Sequence, residues 1–141
     1  MKRSASAVWK GGLQSGKGTV STESGALLGT PYNFRMRFEN EKGTNPEELV
    51  AAAHAACFSM ALSLFLGEAG MTAESIDTKA TVSLEKVGDG FAVTSSHLQT
   101  TVRMPNADRA AFEKAVAAAK TGCPISKLLN AAITMDAMLI A

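Results

Sequence analysis

The sequence predicts an α+β fold, on three observations. Short stretches of alternating apolar and polar residues fill the chain before residue 40 and return after residue 75, one long apolar run separates them, and helical stretches precede a last alternating segment. A chain of 141 residues has the usual size of one domain and can bury about two-thirds of the surface its unfolded form exposes. Residues 1–141 are therefore expected to form a single domain that needs no disulfide to stay folded.

Taken in order, Val8-Trp9 reads as a strand ahead of the turn Lys10-Gly11-Gly12, and Gly16-Lys17-Gly18 leads into a second strand, Thr19 to Thr22. After Pro31, the segment Phe34 to Phe38 reads as a third strand, with Phe34, Met36 and Phe38 on one face and Arg35 and Arg37 on the other. Residues 41–46 form a loop. Asn45 then caps a helix, with Pro46 at its first position and Glu47 and Glu48 in its first turn, where the dipole favours acids. That helix is expected to end at Gly67 or Gly70. It is apolar nearly all round, so it should be buried on most sides.

From Ser75 the alternation of Ile76, Thr78, Ala80, Val82 and Leu84 predicts a strand, with a turn at Gly88-Asp89-Gly90 and a return strand from Phe91 to Met104. Asp108 is placed to cap a helix over 109–120, with Phe112, Val116 and Ala119 at helical spacing and Gly122 past its end. Pro124 starts a short helix through Leu129, and Ile133 to Ile140 alternates as a final strand. No internal repeat or low-complexity stretch interrupts this order.

With 14 basic and 13 acidic residues, and no basic cluster beyond Met1-Lys2-Arg3, there is no electrostatic footprint for nucleic acid or an anionic membrane. The start of the chain lacks the apolar segment of a secretory signal, which points to the cytoplasm. The run from Leu49 to Leu66 approaches the length of a membrane span, but His54, Ser59, Ser63 and the two preceding glutamates argue for a buried soluble helix. Small molecules or a second copy of the chain are the expected partners.

The two cysteines are the first candidates for chemistry. Cys57 lies in the alanine-rich helix and Cys123 just ahead of Pro124, too far apart in sequence for a CxxC motif. Two readings stand: a redox site assembled by the fold, or two ordinary small core residues. A working thiol must be a thiolate, held by a cation, a base or a helix N-terminus. On local grounds Cys123, at the start of its helix, is the more acidic of the two, and Cys57 needs help from elsewhere, with Arg37 the best placed cation. His54, three residues before Cys57, shares its helical face and is open as base, ligand or packing residue; His97, in a polar strand, is a weaker candidate. A zinc site would need Cys57, Cys123, His54 and His97 together, without any of the usual close ligand pairs.

At these residues the sequence resembles a known family. Residues 16–25 (GKGTVSTESG), Arg37-Phe38-Glu39, 43–49 (GTNPEEL), 55–62 (AACFSMAL) and Gly122-Cys123-Pro124 are similar to the OsmC (osmotically inducible protein C) family, relatives of the organic hydroperoxide resistance (Ohr) proteins. The resemblance spans nearly the whole chain, and GTNPEEL with His54 favours the OsmC branch. It implies a thiol-dependent peroxidase of oxidative or osmotic stress defence, acting on organic hydroperoxides as an intertwined homodimer. Cys57 becomes the peroxidatic thiol, Cys123 the resolving thiol, Arg37 the cation beside the thiolate, and Glu47 the carboxylate that holds the arginine. No cofactor and no metal are implied, only an external thiol reductant of dihydrolipoyl type. Two other classes remain in view, an apolar-ligand binding module and a thiol–disulfide exchanger.

One geometric expectation follows from spacing. If Glu47 and Cys57 share an unbroken helix, ten residues put them about 15 Å apart along its axis, too far for one arginine to serve both. Either the helix breaks, or one partner comes from a second chain; the second is expected. Phe58, Met60 and their apolar neighbours are expected to make the mouth of the site apolar, so that bulky hydroperoxides react faster than hydrogen peroxide.

Overall fold

A computed structural model describes residues 1–141, which divide into two compact units, Met1–Leu49 and Val50–Ala141. In the first, strands β1 (Ala5–Lys10), β2 (Lys17–Thr22) and β3 (Thr30–Tyr32) form an antiparallel sheet in the order β1-β2-β3. Trp9 pairs with Gly18, which in turn pairs with Tyr32, and the two rings lie 5.5 Å apart over that glycine. Any Cβ there would come within 2.7 Å of both rings, so only glycine lets them close over the strand.

The segment expected to be a third alternating strand is instead a helical turn, α1 (Phe34–Phe38). Five residues are too few to separate the two periods, and local chemistry decides. Asn33, in extended conformation after Pro31, accepts a hydrogen bond from Met36 N at 2.8 Å and so caps the turn. The helix also pairs Phe34 with Phe38, centroids 4.8 Å apart, and Arg35 with Glu39 at 3.3 Å, both at i,i+4 spacing. A strand would separate those partners.

Helix α2 runs unbroken from Pro46 to Glu68, its first turn belonging to the first unit. Asn45 Oδ1 accepts from Glu48 N at 2.8 Å, the cap read from the sequence. At the other end Gly70 takes a left-handed φ of 75°, and Met71 N reaches back to Leu66 O at 2.9 Å, closing the helix in a Schellman-type turn. By length and composition α2 passes for a membrane span. In this chain His54, Phe58, Leu62 and Leu66 form its buried stripe, while Met60 and Leu64 on the other side are 76% and 60% exposed.

In the second unit, strands β4 (Ser75–Val87) and β5 (Gly90–Arg103) form the long hairpin, and β6 (Ala132–Ile140) pairs parallel to β5. Helices α3 (Arg109–Gly122), capped by Asp108, and α4 (Pro124–Leu128) make the crossover that a parallel pairing requires. The core joins Phe58, Leu62 and Leu66 to Leu98 and Val102 of β5, to Phe112, Val116 and Ala119 of α3, and to Cys123. Each fully buried leucine there contributes about 1.5–3 kcal/mol.

Candidate active site

Cys123 ends α3 and opens α4, and it is fully buried. Cys57 is half-buried one turn after His54, and its thiol hydrogen-bonds the side chain of Cys123. Sixty-six positions apart in sequence (57 to 123), the two sulfurs meet, both as free thiols. The meeting follows from packing, because α2 and the α3–α4 junction share one apolar cluster, with Cys123 inside it and Cys57 against it.

Burial pushes the Cys57 thiol above its ordinary value, the Cys123 side chain pushes the same way, and a hydrogen bond from the Ile125 backbone pulls against them. Ile125 sits in the first turn of α4, so the amide end of that helix serves Cys57. The sequence had credited that dipole to Cys123, yet Cys123 makes no side-chain cap bond there. The connection turns at Cys123, with φ −57° and ψ 125°, and the Ile125 amide bonds Cys57 on the neighbouring helix instead.

His54 is buried, with Nδ1 2.6 Å from Ser96 Oγ and Nε2 2.7 Å from Ser126 Oγ. Burial lowers its pKa, which favours the neutral ring that donates from one nitrogen and accepts at the other. Neither serine was singled out from sequence. Ser96 had a signal, since it shares the inward face of β5 with Leu98, Thr100 and Val102, where a polar residue needs a partner. Ser126 had none.

His97 lies on the opposite face of β5, hydrogen-bonded to Thr134 and 3.1 Å from Asp136 on β6. No group of three or more His, Cys, Asp or Glu side chains is placed to hold a metal ion. Phe58, expected at the mouth of the site, is fully buried in the core because it lies one turn from both His54 and Leu62 on the inward stripe; Met60 is the exposed neighbour.

The other two candidate residues pair in the first unit. Arg37 Nη2 lies 2.8 Å from Glu47 Oε1, and Nε lies 3.2 Å from Oε2 and 3.3 Å from Oε1, a forked charge-assisted contact. The guanidinium is also 5.2 Å from the Phe38 ring. Glu47 is the more enclosed partner, its side chain 12% exposed against 37% for Arg37, so the carboxylate acts as the anchor and the cation keeps a free edge. Asn45 ties α1 to the start of α2 by donating from Nδ2 to Met36 O at 3.1 Å.

A thiol pair with one member buried and the other half-buried, on an α+β scaffold, defines a thiol-based redox protein. The family model for OsmC-like proteins matches residues 39–137. Over 128 residues the chain is 60% identical to Peroxiredoxin OsmC of Escherichia coli (strain K12), covering 91% of this chain and 90% of that one. It is 30% identical over 111 residues to the organic hydroperoxide resistance protein OhrB of Bacillus subtilis (strain 168), covering 78% and 79% of the two chains. The crystal structure of the Bacillus subtilis OhrB superposes with a TM-score of 0.67 at 27% identity, over 97% of this chain and 98% of that one. The chain belongs to the OsmC family. It is a cysteine-based peroxidase.

Proposed function

We propose that the chain reduces organic hydroperoxides at Cys57, with Cys123 resolving, Arg37 holding the thiolate and Glu47 holding Arg37. The observation that carries this reading is the hydrogen-bonded pair of free thiols, Cys57 and Cys123, at the edge of an apolar cluster. The Cys57 thiolate attacks one peroxide oxygen, the O–O bond breaks, and the alcohol leaves with a proton. The resulting sulfenic acid condenses with the Cys123 thiol, which forms the disulfide and releases water. An external dithiol then returns both cysteines to thiols and is itself oxidised to a disulfide. The apolar surroundings favour alkyl or aryl hydroperoxides over hydrogen peroxide.

The working unit in this reading is a homodimer. Burial works against the Cys57 thiolate, so a cation must be delivered to it. Because α2 is unbroken from Pro46 to Glu68, about 15 Å of helical rise separates Glu47 from Cys57, and a second copy of the chain supplies its Arg37–Glu47 pair to each thiol. The exposed apolar side of α2, marked by Met60 and Leu64, is the surface such a copy covers. The disulfide cycle fits a reducing cytoplasm.

The test is thiol titration of the reduced protein after one equivalent of cumene hydroperoxide, with the alcohol measured alongside. Both thiols disappear and one alcohol forms per disulfide; Cys57→Ser forms none, and Cys123→Ser forms one alcohol with the first equivalent and overoxidises Cys57 when a second is added. Alcohol formation at the wild-type rate by Cys57→Ser would end the proposal. Disulfide formation without alcohol would mark a thiol–disulfide exchanger.

A further inference from the structure

Resting on the assignment of Cys57 and Cys123 above, we propose that His54 is a positioning residue for the disulfide-forming step. Through Ser126 it holds α4 against α2, so that Cys123 keeps facing Cys57 after Cys57 has been oxidised. Helix α4 has five residues and cannot be stable on propensity alone. Three hydrogen bonds tie its beginning to α2: the Cys123 side chain to Cys57, the Ile125 amide to Cys57, and Ser126 Oγ to His54 Nε2 at 2.7 Å. The first two end on the reacting sulfur and change when it gains an oxygen. The third involves no reacting atom and persists through the cycle. His54 belongs to α2 through its backbone, so its hold on α4 does not depend on the second bond its ring makes, to Ser96 of β5 at 2.6 Å.

The sulfenic acid on Cys57 has two fates. It condenses with the Cys123 thiol to give the disulfide and water, or a second hydroperoxide oxidises it to the sulfinic acid with release of alcohol. The first route is intramolecular and depends on where α4 sits, whereas the second grows with hydroperoxide concentration. Loosening α4 therefore shifts the partition toward the sulfinic acid.

The experiment measures the sulfinic fraction by mass spectrometry of the intact reduced protein across a series of cumene hydroperoxide concentrations. Losing one neutral hydrogen bond should lower the concentration at which half of Cys57 becomes sulfinic about three- to tenfold in Ser126→Ala and His54→Ala. His54→Gln, whose amide offers one donor and one acceptor group, recovers the resistance. Ser96→Ala, which removes the sheet-side bond and leaves α4 tied to His54, stays within about twofold of wild type. Wild-type behaviour of Ser126→Ala overturns the proposal, and so does an equal shift in Ser96→Ala, which would mean general loosening of the buried cluster. Ser126→Ala carries the test if His54→Ala does not fold. A wild-type protein that forms no intramolecular disulfide refutes the thiol assignment itself; one that forms it while the variants match it refutes only the positioning role.

Discussion

The N-terminal unit, Met1–Leu49, holds its Arg37–Glu47 pair by polar contacts on a thinly covered scaffold. Strand β1 is exposed along its whole length, and Gly16 and Gly18 are the only buried residues of that unit. Arg37 is fixed there by the Asn33 cap of α1, by the Asn45 bond to Met36 and by the Glu47 fork. The second unit, Val50–Ala141, does the opposite, enclosing Cys123 and half-burying Cys57 in a cluster of leucines, valines and aromatic residues. The contrast separates two requirements of thiol chemistry. Burial holds the two sulfurs in one geometry but works against the Cys57 thiolate, while a partly exposed guanidinium keeps its hydration and avoids the cost of burying a charge.

The sharpest way to break this comparison is to put the defects on separate chains. Arg37→Met and Cys57→Ser should each be nearly inactive alone. Mixed after reversible unfolding, random pairing makes half the dimers hybrid, each with one intact site of two, so activity returns to about a quarter of wild type. No recovery on mixing would place Arg37 and Cys57 in the same chain and end the two-chain site.

A second test compares the scaffolds themselves. Leu62→Ala, in the core of the second unit, should cost about 2–5 kcal/mol in denaturant unfolding, while Val8→Ala on exposed β1 should stay within about 0.5 kcal/mol. A large loss at Val8 would show that β1 is covered in the working protein, as a second chain on that face requires.

The smallest effect concerns pH. Burial raises the Cys57 thiol, and the guanidinium that the proposed second copy delivers would lower it. The hydroperoxide rate follows the thiolate, so it rises with pH through that pKa. Arg37→Met should move the midpoint upward, with the loss at neutral pH recovered in alkali. An unmoved midpoint would deny Arg37 its electrostatic role and leave it as a substrate contact.

Much of this was legible in the chain because the signals were long or doubled. The α2 helix announced itself by Asn45-Pro46-Glu47-Glu48 and by its apolar run, and the hairpin by the alternation from Ile76 to Leu84 ahead of Gly88-Asp89. The α3 helix was readable from Asp108 and the spacing of Phe112, Val116 and Ala119. Phe34–Phe38 was misread because alternation and i,i+4 pairing coincide over five residues, and the decisive cap, Asn33, was not weighed. The chemistry was legible only in part. Arg37, Glu47, Cys57 and Cys123 came from a matched family pattern, whereas Ser126 and the Ile125 amide depend on how α4 packs on α2, and no periodicity records that.

The rings closed over Gly18 have a practical corollary. Trp9 is the sole tryptophan of the chain, an indole 37% exposed that donates to Gly11 O at 3.1 Å beside Tyr32. Its fluorescence is thus a reporter seated in the arginine-bearing half, while the long helices of the thiol-bearing half dominate circular dichroism. Following both signals at once can time the coming and going of each half separately, without any label.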